Sequence, residues 1–170
     1  MATVTGLFND QDSAERAYKT ALESGYSRND IDVIMSEETR EKYYGKNTTL
    51  ETEVGNKAAE GAAIGGALGA TVGAIAAAIA AAGTVLALPG LGLVVAGPLA
   101  AGIAGAGAGG VGAGLIGALV GWAIPEDTLK EYESGLKEGG IVIGVNAKSD
   151  EDRNRFKNDW ATNKGYSVHG

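Results

Sequence analysis

Between Glu60 and Glu126 the chain carries no ionisable side chain. These 65 residues, Gly61 to Pro125, hold 18 of its 28 glycines and 21 alanines, and their only hydroxyls are Thr71 and Thr84. A surface facing water needs charge at intervals, so a run of this length restricts the chain to two arrangements. Its helices cross a bilayer, or they are buried among other protein. Uncharged runs of 18 or more residues are the ordinary mark of a membrane span.

The run divides at its prolines. Ala58 to Ala82 reads as one helix of 25 residues, about 37 Å long at 1.5 Å per residue against about 30 Å of hydrocarbon. Gly83 and Leu88-Pro89-Gly90-Leu91-Gly92 break it, since proline removes a helix donor and glycine accepts turn geometry. Pro98 suits the first turn of a second helix, and Pro125 closes the run after Ile124. The expectation is a Gly/Ala-rich α-helical hairpin over residues 58–124.

Its small residues are spaced. Gly61, Gly65, Gly69 and Gly73 recur every four residues, continued by Ala77 and Ala81. Gly97, Ala101, Gly105, Gly109, Ala113, Gly117 and Gly121 form the answering row. Such strips let helix backbones approach closely, so Gly61, Gly65, Gly69, Gly73, Gly105, Gly109, Gly117 and Gly121 are the expected helix-packing and assembly residues. Alanine and glycine contribute little insertion free energy. Two settings therefore stay open: a membrane-spanning hairpin, or a hairpin buried inside a self-assembling soluble oligomer. A hydrated pore fits poorly, because the run has no charged or amide side chain to line it.

Charge and cysteine usage exclude other classes. The net charge is −7 with 14 basic residues, and no basic cluster stands out, which argues against a nucleic-acid partner. There is no cysteine, hence no disulfide, thiolate metal site or cysteine nucleophile. Met1 leads into alternating residues without a charged or an apolar leader region, so no signal peptide is expected. With basic residues on both flanks, the hairpin reading places the protein in the inner (cytoplasmic) membrane with both termini cytoplasmic. The alternative is a large cytoplasmic assembly.

The flanks read as α+β. Thr3–Phe8 has a strand's composition, Asn9 and Asp10 cap a helix running to Ser24, and Ile31–Met35 is a second strand. Ala14, Ala17, Tyr18, Ala21 and Leu22 make one apolar stripe on that helix. Residues 36–57 are polar and helix-tolerant, and Tyr43-Tyr44 suit either a membrane interface or the edge of the folded domain. After the run come a charged helix (Glu126–Lys137), a strong strand (Gly140–Ala147), a helix capped by Ser149 with Phe156 and Trp160 on one face, and a last strand, Tyr166–His169. A shift of 140 residues lays Gly25-Tyr26-Ser27 on Gly165-Tyr166-Ser167 and Asp10 on Asp150. Two β-α-β halves commonly build a ferredoxin-like βαββαβ domain. The expected organisation is thus a first half over residues 1–57, the hairpin over 58–124, and a helix plus second half over 125–170.

The opening TGLFNDQDSAERAYKTALESGYSRNDIDVIMS and the closing YESGLKEGGIVIGVNAKSDEDRNRF resemble the bacterial general-stress-protein 17M-like (YflT-like) domain. The whole chain is similar to low-temperature- or heat-induced stress membrane proteins, in which that domain is split by a glycine-zipper region. The resemblance implies a stress-response association and a membrane location, and it brings no catalytic motif.

The chain itself offers little chemistry. Formal G-x-G-x-x-G matches at Gly105, Gly107 and Gly112 lack the strand, helix and acid of a dinucleotide site, and no P-loop follows any glycine cluster. The single histidine, His169, reads as a frayed end. Asp10, Asp12, Asp150, Glu151 and Asp152 occupy helix first turns, where the dipole favours acids. No Ser/His/Asp set can be assembled. The expected function is a non-enzymatic, stress-associated structural membrane protein that self-assembles through its glycine-zipper hairpin, or alternatively a soluble shell- or particle-forming protein. No cofactor, metal or small-molecule substrate is expected, and the expected partners are further copies of the chain and a lipid bilayer.

Overall fold

The computed structural model describes residues 2–44, 73–81, 85–88, 92–105, 119 and 124–170. In chain order these form β1 (Ala2–Phe8), α1 (Gln11–Glu23), a 3₁₀ turn (Arg28–Asp30), β2 (Ile31–Ser36) and α2 (Glu37–Tyr44). The uncharged run supplies α3 (Ala74–Ala81), β3 (Val85–Leu88), β4 (Leu93–Ala96) and α4 (Pro98–Gly105). Then follow α5 (Glu126–Lys137), β5 (Ile141–Ala147), α6 (Asp150–Thr162) and β6 (Gly165–His169). The fold is α+β, with one six-stranded sheet in the order β3-β4-β2-β5-β1-β6. Every neighbouring pair in it is antiparallel.

Alternation along the strands explains why this sheet has helices on both faces. On β2, Ile31, Val33 and Met35 enter one core while Ile34 enters the other. Strands buried on both sides read as nearly continuous apolar runs, as Ile141–Val145 does. The first core joins Val4, Phe8, Ile143 and Val145 to the α1 stripe, to Phe156 and Trp160 of α6, and to Ile75 and Ile79 of α3. Phe8 and Trp160 meet edge to face at 5.8 Å between ring centroids, a favoured aromatic geometry. The second core joins Leu7, Ile34, Val95 and Val142 to Leu129, Tyr132 and Leu136 of α5, and to Ala100, Leu119 and Ile124.

The internal repeat is real but shifted by 139 residues, not 140, within the strand–helix units. That shift lays β1 on β5 and α1 on α6, each pair equal in length. It places the cap Asp10 on the cap Ser149, and Ala17 and Ala21 on Phe156 and Trp160. Small residues on one helix thus occupy the positions at which large aromatics stand on the other. Thr5 is equivalent to Gly144 and is its direct partner in the β1–β5 ladder, so the local two-fold axis passes through that pair. Gly25-Tyr26-Ser27 and Gly165-Tyr166-Ser167 are alike in sequence only. The first lies in the turn before β2 with Tyr26 buried; the second opens β6 with Tyr166 56% exposed.

Two expectations about the uncharged run are corrected. The segment read as a simple break between helices is a β-hairpin: β3 pairs with β4, and β4 pairs with β2 from Val33↔Ala96 to Ser36↔Leu93. Val85-Leu86-Ala87-Leu88 and Leu93-Val94-Val95-Ala96 are short aliphatic segments of strand composition, and the surrounding glycines and alanines obscure that pattern. The membrane and transmembrane-helix expectation is also overturned, because among the described residues no helix is long and apolar enough to cross a membrane. Both α3 and α4 have eight residues, about 12 Å at 1.5 Å per residue, well short of about 30 Å of hydrocarbon. The reason is that the sheet takes the middle of the run as two strands, and the short helices on either side bury apolar residues against its two faces.

Candidate functional site: carboxylates at the openings of the Gly/Ala-rich helices

A helix start leaves backbone N–H groups without intrahelical partners, usually met by a capping side chain. Neither α3 nor α4 supplies one, since Gly73 and Gly97 precede them. Carboxylates on β2 and α1 do so instead. Asp32 Oδ1, on β2, accepts from the Leu99 N–H at 2.7 Å. Glu15 Oε2, on α1, accepts from the Ile75 N–H at 3.0 Å, and Glu15 Oε1 accepts from the Tyr44 hydroxyl at 3.2 Å.

Both glycines permit this closeness, and at Gly97 the backbone itself demands glycine. A Cβ on Gly73 would collide with the Glu15 carboxylate. At Gly97 φ is +112°, and a Cβ would lie 2.5 Å from the Ile31 carbonyl oxygen and 2.7 Å from Asp32 Oδ1. Only glycine lets backbone and carboxylate approach so far.

The electrostatics follow from burial. Asp32 is 1% exposed, and its Oδ2 is buried without a hydrogen-bond partner among the described residues. Burial pushes its carboxyl up to about 6, with the Leu99 N–H offsetting part of the effect. Burial likewise raises Glu15, against the Ile75 N–H and the Tyr44 hydroxyl. Tyr44 is raised in turn by burial and by the Glu15 charge. Of the two roles open to Tyr43-Tyr44, the structure therefore shows Tyr44 packed against the first core.

Two further tyrosines join the halves. Tyr132 Oη lies 2.8 Å from both the Thr5 hydroxyl and the Ser167 carbonyl oxygen, linking α5 to β1 and β6. Burial pushes its phenol up to about 12. The Tyr26 hydroxyl donates to Asp152 Oδ2 at 2.7 Å and accepts from the Lys148 N–H at 2.9 Å. Lys148 Nζ sits 4.5 Å from the Tyr26 ring centroid and 3.5 Å from Asp30.

Of the glycines expected to pack helices, Gly73 lies beside Glu15 of its own chain and Gly105 ends α4. Gly61, Gly65, Gly69, Gly109, Gly117 and Gly121 lie outside the described residues. His169 is not frayed; it pairs with Thr5 in the β1–β6 ladder. Asp10 and Ser149 cap α1 and α6 through Ser13 N–H and Asp152 N–H. A shallow cleft of about 270 Å³ opens between α5 and β6, lined by Glu131, Ser134, Glu138, Tyr166 and Ser167 among others. Its glutamates bond to neighbouring serines, Glu131 to Ser167 and Glu138 to Ser134.

Glu15 and Asp32 escaped the sequence reading. Their one local signal is an acid at an alternating position of a strand and another beside an apolar helical stripe, opposite helices lacking caps of their own. Compared with known proteins, the chain matches no protein-family model, no curated protein and no solved structure.

Proposed function

We propose that the chain is a non-enzymatic structural protein whose split α+β domain holds its Gly/Ala-rich segment in place and assembles with further copies through that segment. The observation that carries the reading is the use made of Glu15 and Asp32. These acids, the first half-buried and the second fully buried, bind backbone N–H groups of the uncharged run instead of meeting in a cleft. Tyr132 and Tyr26 likewise tie one element to another. The finer fold assignment is a ferredoxin-like βαββαβ domain extended at one edge. Strand order β6-β1-β5-β2, the antiparallel ladders and the 139-residue repeat about the Thr5–Gly144 pair all favour it. The stress association rests on the resemblance to the general-stress-protein 17M-like domain. The test is the mass of the purified full-length chain in solution across a wide concentration range. A homo-oligomer is expected; a monomer at every concentration would overturn the reading.

A further inference from the structure

The two ends of the sheet differ. At one end β6 is blunted: its register against β1 shifts between Thr5 and Leu7, and Ser167 has φ +48°. The Ser167 carbonyl is taken by Tyr132, and Lys164 stands just before the strand. Bulges and lysines are how edges are kept from pairing with other chains.

At the other end β3 has none of these devices. Among the described residues it is the outermost strand, and Val85-Leu86-Ala87-Leu88 carries no charge, no proline and no positive-φ residue. It is hydrogen-bonded to β4 along one side through a regular register from Val85↔Ala96 to Leu88↔Leu93. The backbone N–H and C=O groups pointing the other way need partners. Ala87 is exposed.

Charge narrows the partner. Copies of a chain with net charge −7 repel one another on balance, and an uncharged strand is a place where two can meet. Pairing β3 onto β6 of a neighbour would repeat without closing, and the blunted β6 opposes it. Two copies of β3 related by a two-fold axis pair antiparallel and close at once, since the same patch serves both partners.

We propose that β3 is the self-association edge, and that its partner is β3 of a second copy, giving a continuous antiparallel sheet across the two-fold. This deepens the self-assembly reading above and rests on it.

The experiment combines sizing of full-length protein by sedimentation with hydrogen exchange of the unmodified chain. Ala87→Lys puts a charge on an exposed position of the edge strand, so the fold, checked by circular dichroism, is retained while each copy brings a lysine to the shared edge. Self-association is expected to weaken at least tenfold, whereas Tyr166→Lys on the opposite edge leaves it unchanged. In the wild type, protection of the Val85–Leu88 amides is expected to rise with protein concentration, which needs no variant at all. Oligomers that survive Ala87→Lys with β3 amides unaffected by concentration would overturn the edge pairing and leave the assembly reading standing. A monomeric wild type would overturn both, and β3 protection in such a monomer would mean that the chain covers its own edge.

Discussion

Asp32 Oδ1 lies 2.7 Å from the backbone nitrogen of Leu99, a bond that spans 67 residues of sequence and joins β2 to the first turn of α4. Pro98 at the first helical position has no N–H to satisfy, so Leu99 offers the first free donor, and Asp32 meets it from β2, the strand beside β4. Glu15 does the same for α3 at a separation of 60 residues. The described helices of the uncharged run are thus anchored by carboxylates of α1 and β2. A buried acid near a helix start is stabilised by the N-terminal end of the dipole, but a desolvated Oδ2 without a partner among the described residues works against it.

That opposition has a pH signature. An acid whose folded pKa is raised binds its proton more tightly in the folded state. Its ionisation therefore costs stability as pH rises from about 4 to about 6, and the cost is constant above that window. For Asp32 it amounts to at most on the order of 3 kcal/mol at about 1.4 kcal/mol per pH unit. Asp10 acts in the opposite sense: burial raises its pKa, but bonds from the Ser13 N–H and hydroxyl outweigh it and lower it. Its contribution is lost as pH falls below about 4. Urea unfolding between pH 4 and 8 is expected to show higher stability near pH 5 than near pH 7.5. Asp32→Asn, which keeps the acceptor for Leu99 without the charge, is expected to flatten that slope.

Gly97 and Gly92 both have positive φ, +112° and +60°, but only Gly97 is crowded. Gly97→Ala is expected to cost about 1–3 kcal/mol, combining backbone strain with displacement of Asp32 from the α4 start. Gly92→Ala faces open space and is expected to cost about 1 kcal/mol. Thermal unfolding of the two variants side by side checks the difference, and equal losses would count against the close contact at Gly97.

Gly73→Ala is expected to push the Glu15 carboxylate off the α3 start, because no alanine fits the present geometry. The readout is local: hydrogen exchange at the Ile75 amide should accelerate, while exchange in the β1–β5 ladder stays slow.

Tyr132→Phe removes the hydroxyl that meets both Thr5 and the Ser167 carbonyl. With a buried acceptor left short of its donor, a loss of about 1–3 kcal/mol is expected, read by denaturant titration.

Much of the frame was legible from local rules. The α1 stripe, the cap at Asp10, the α4 start at Pro98 and strand β5 each follow from periodicity or cap chemistry. The β3–β4 hairpin was not, because glycine and alanine dominate its surroundings and four-residue strands carry too short an alternation to outweigh them. The Gly-Tyr-Ser match misregisters the repeat by one residue, because it lies beyond the helices, in the turn before β2 in one half and in β6 itself in the other. The trans caps were hidden for another reason. A bond between residues 60 or 67 apart leaves no pattern in either segment alone.

The middle of the uncharged run belongs to the sheet, as β3 and β4. Nuclear Overhauser contacts in the isotope-labelled full-length chain test it most directly. Cross-strand contacts between Ile34 and Val95, and between Leu86 and Val95, with extended-backbone chemical shifts over residues 85–88 and 93–96, are the expected result. Helical shifts and sequential helical contacts running unbroken from Ala74 to Ala96, without any contact to β2, would contradict it.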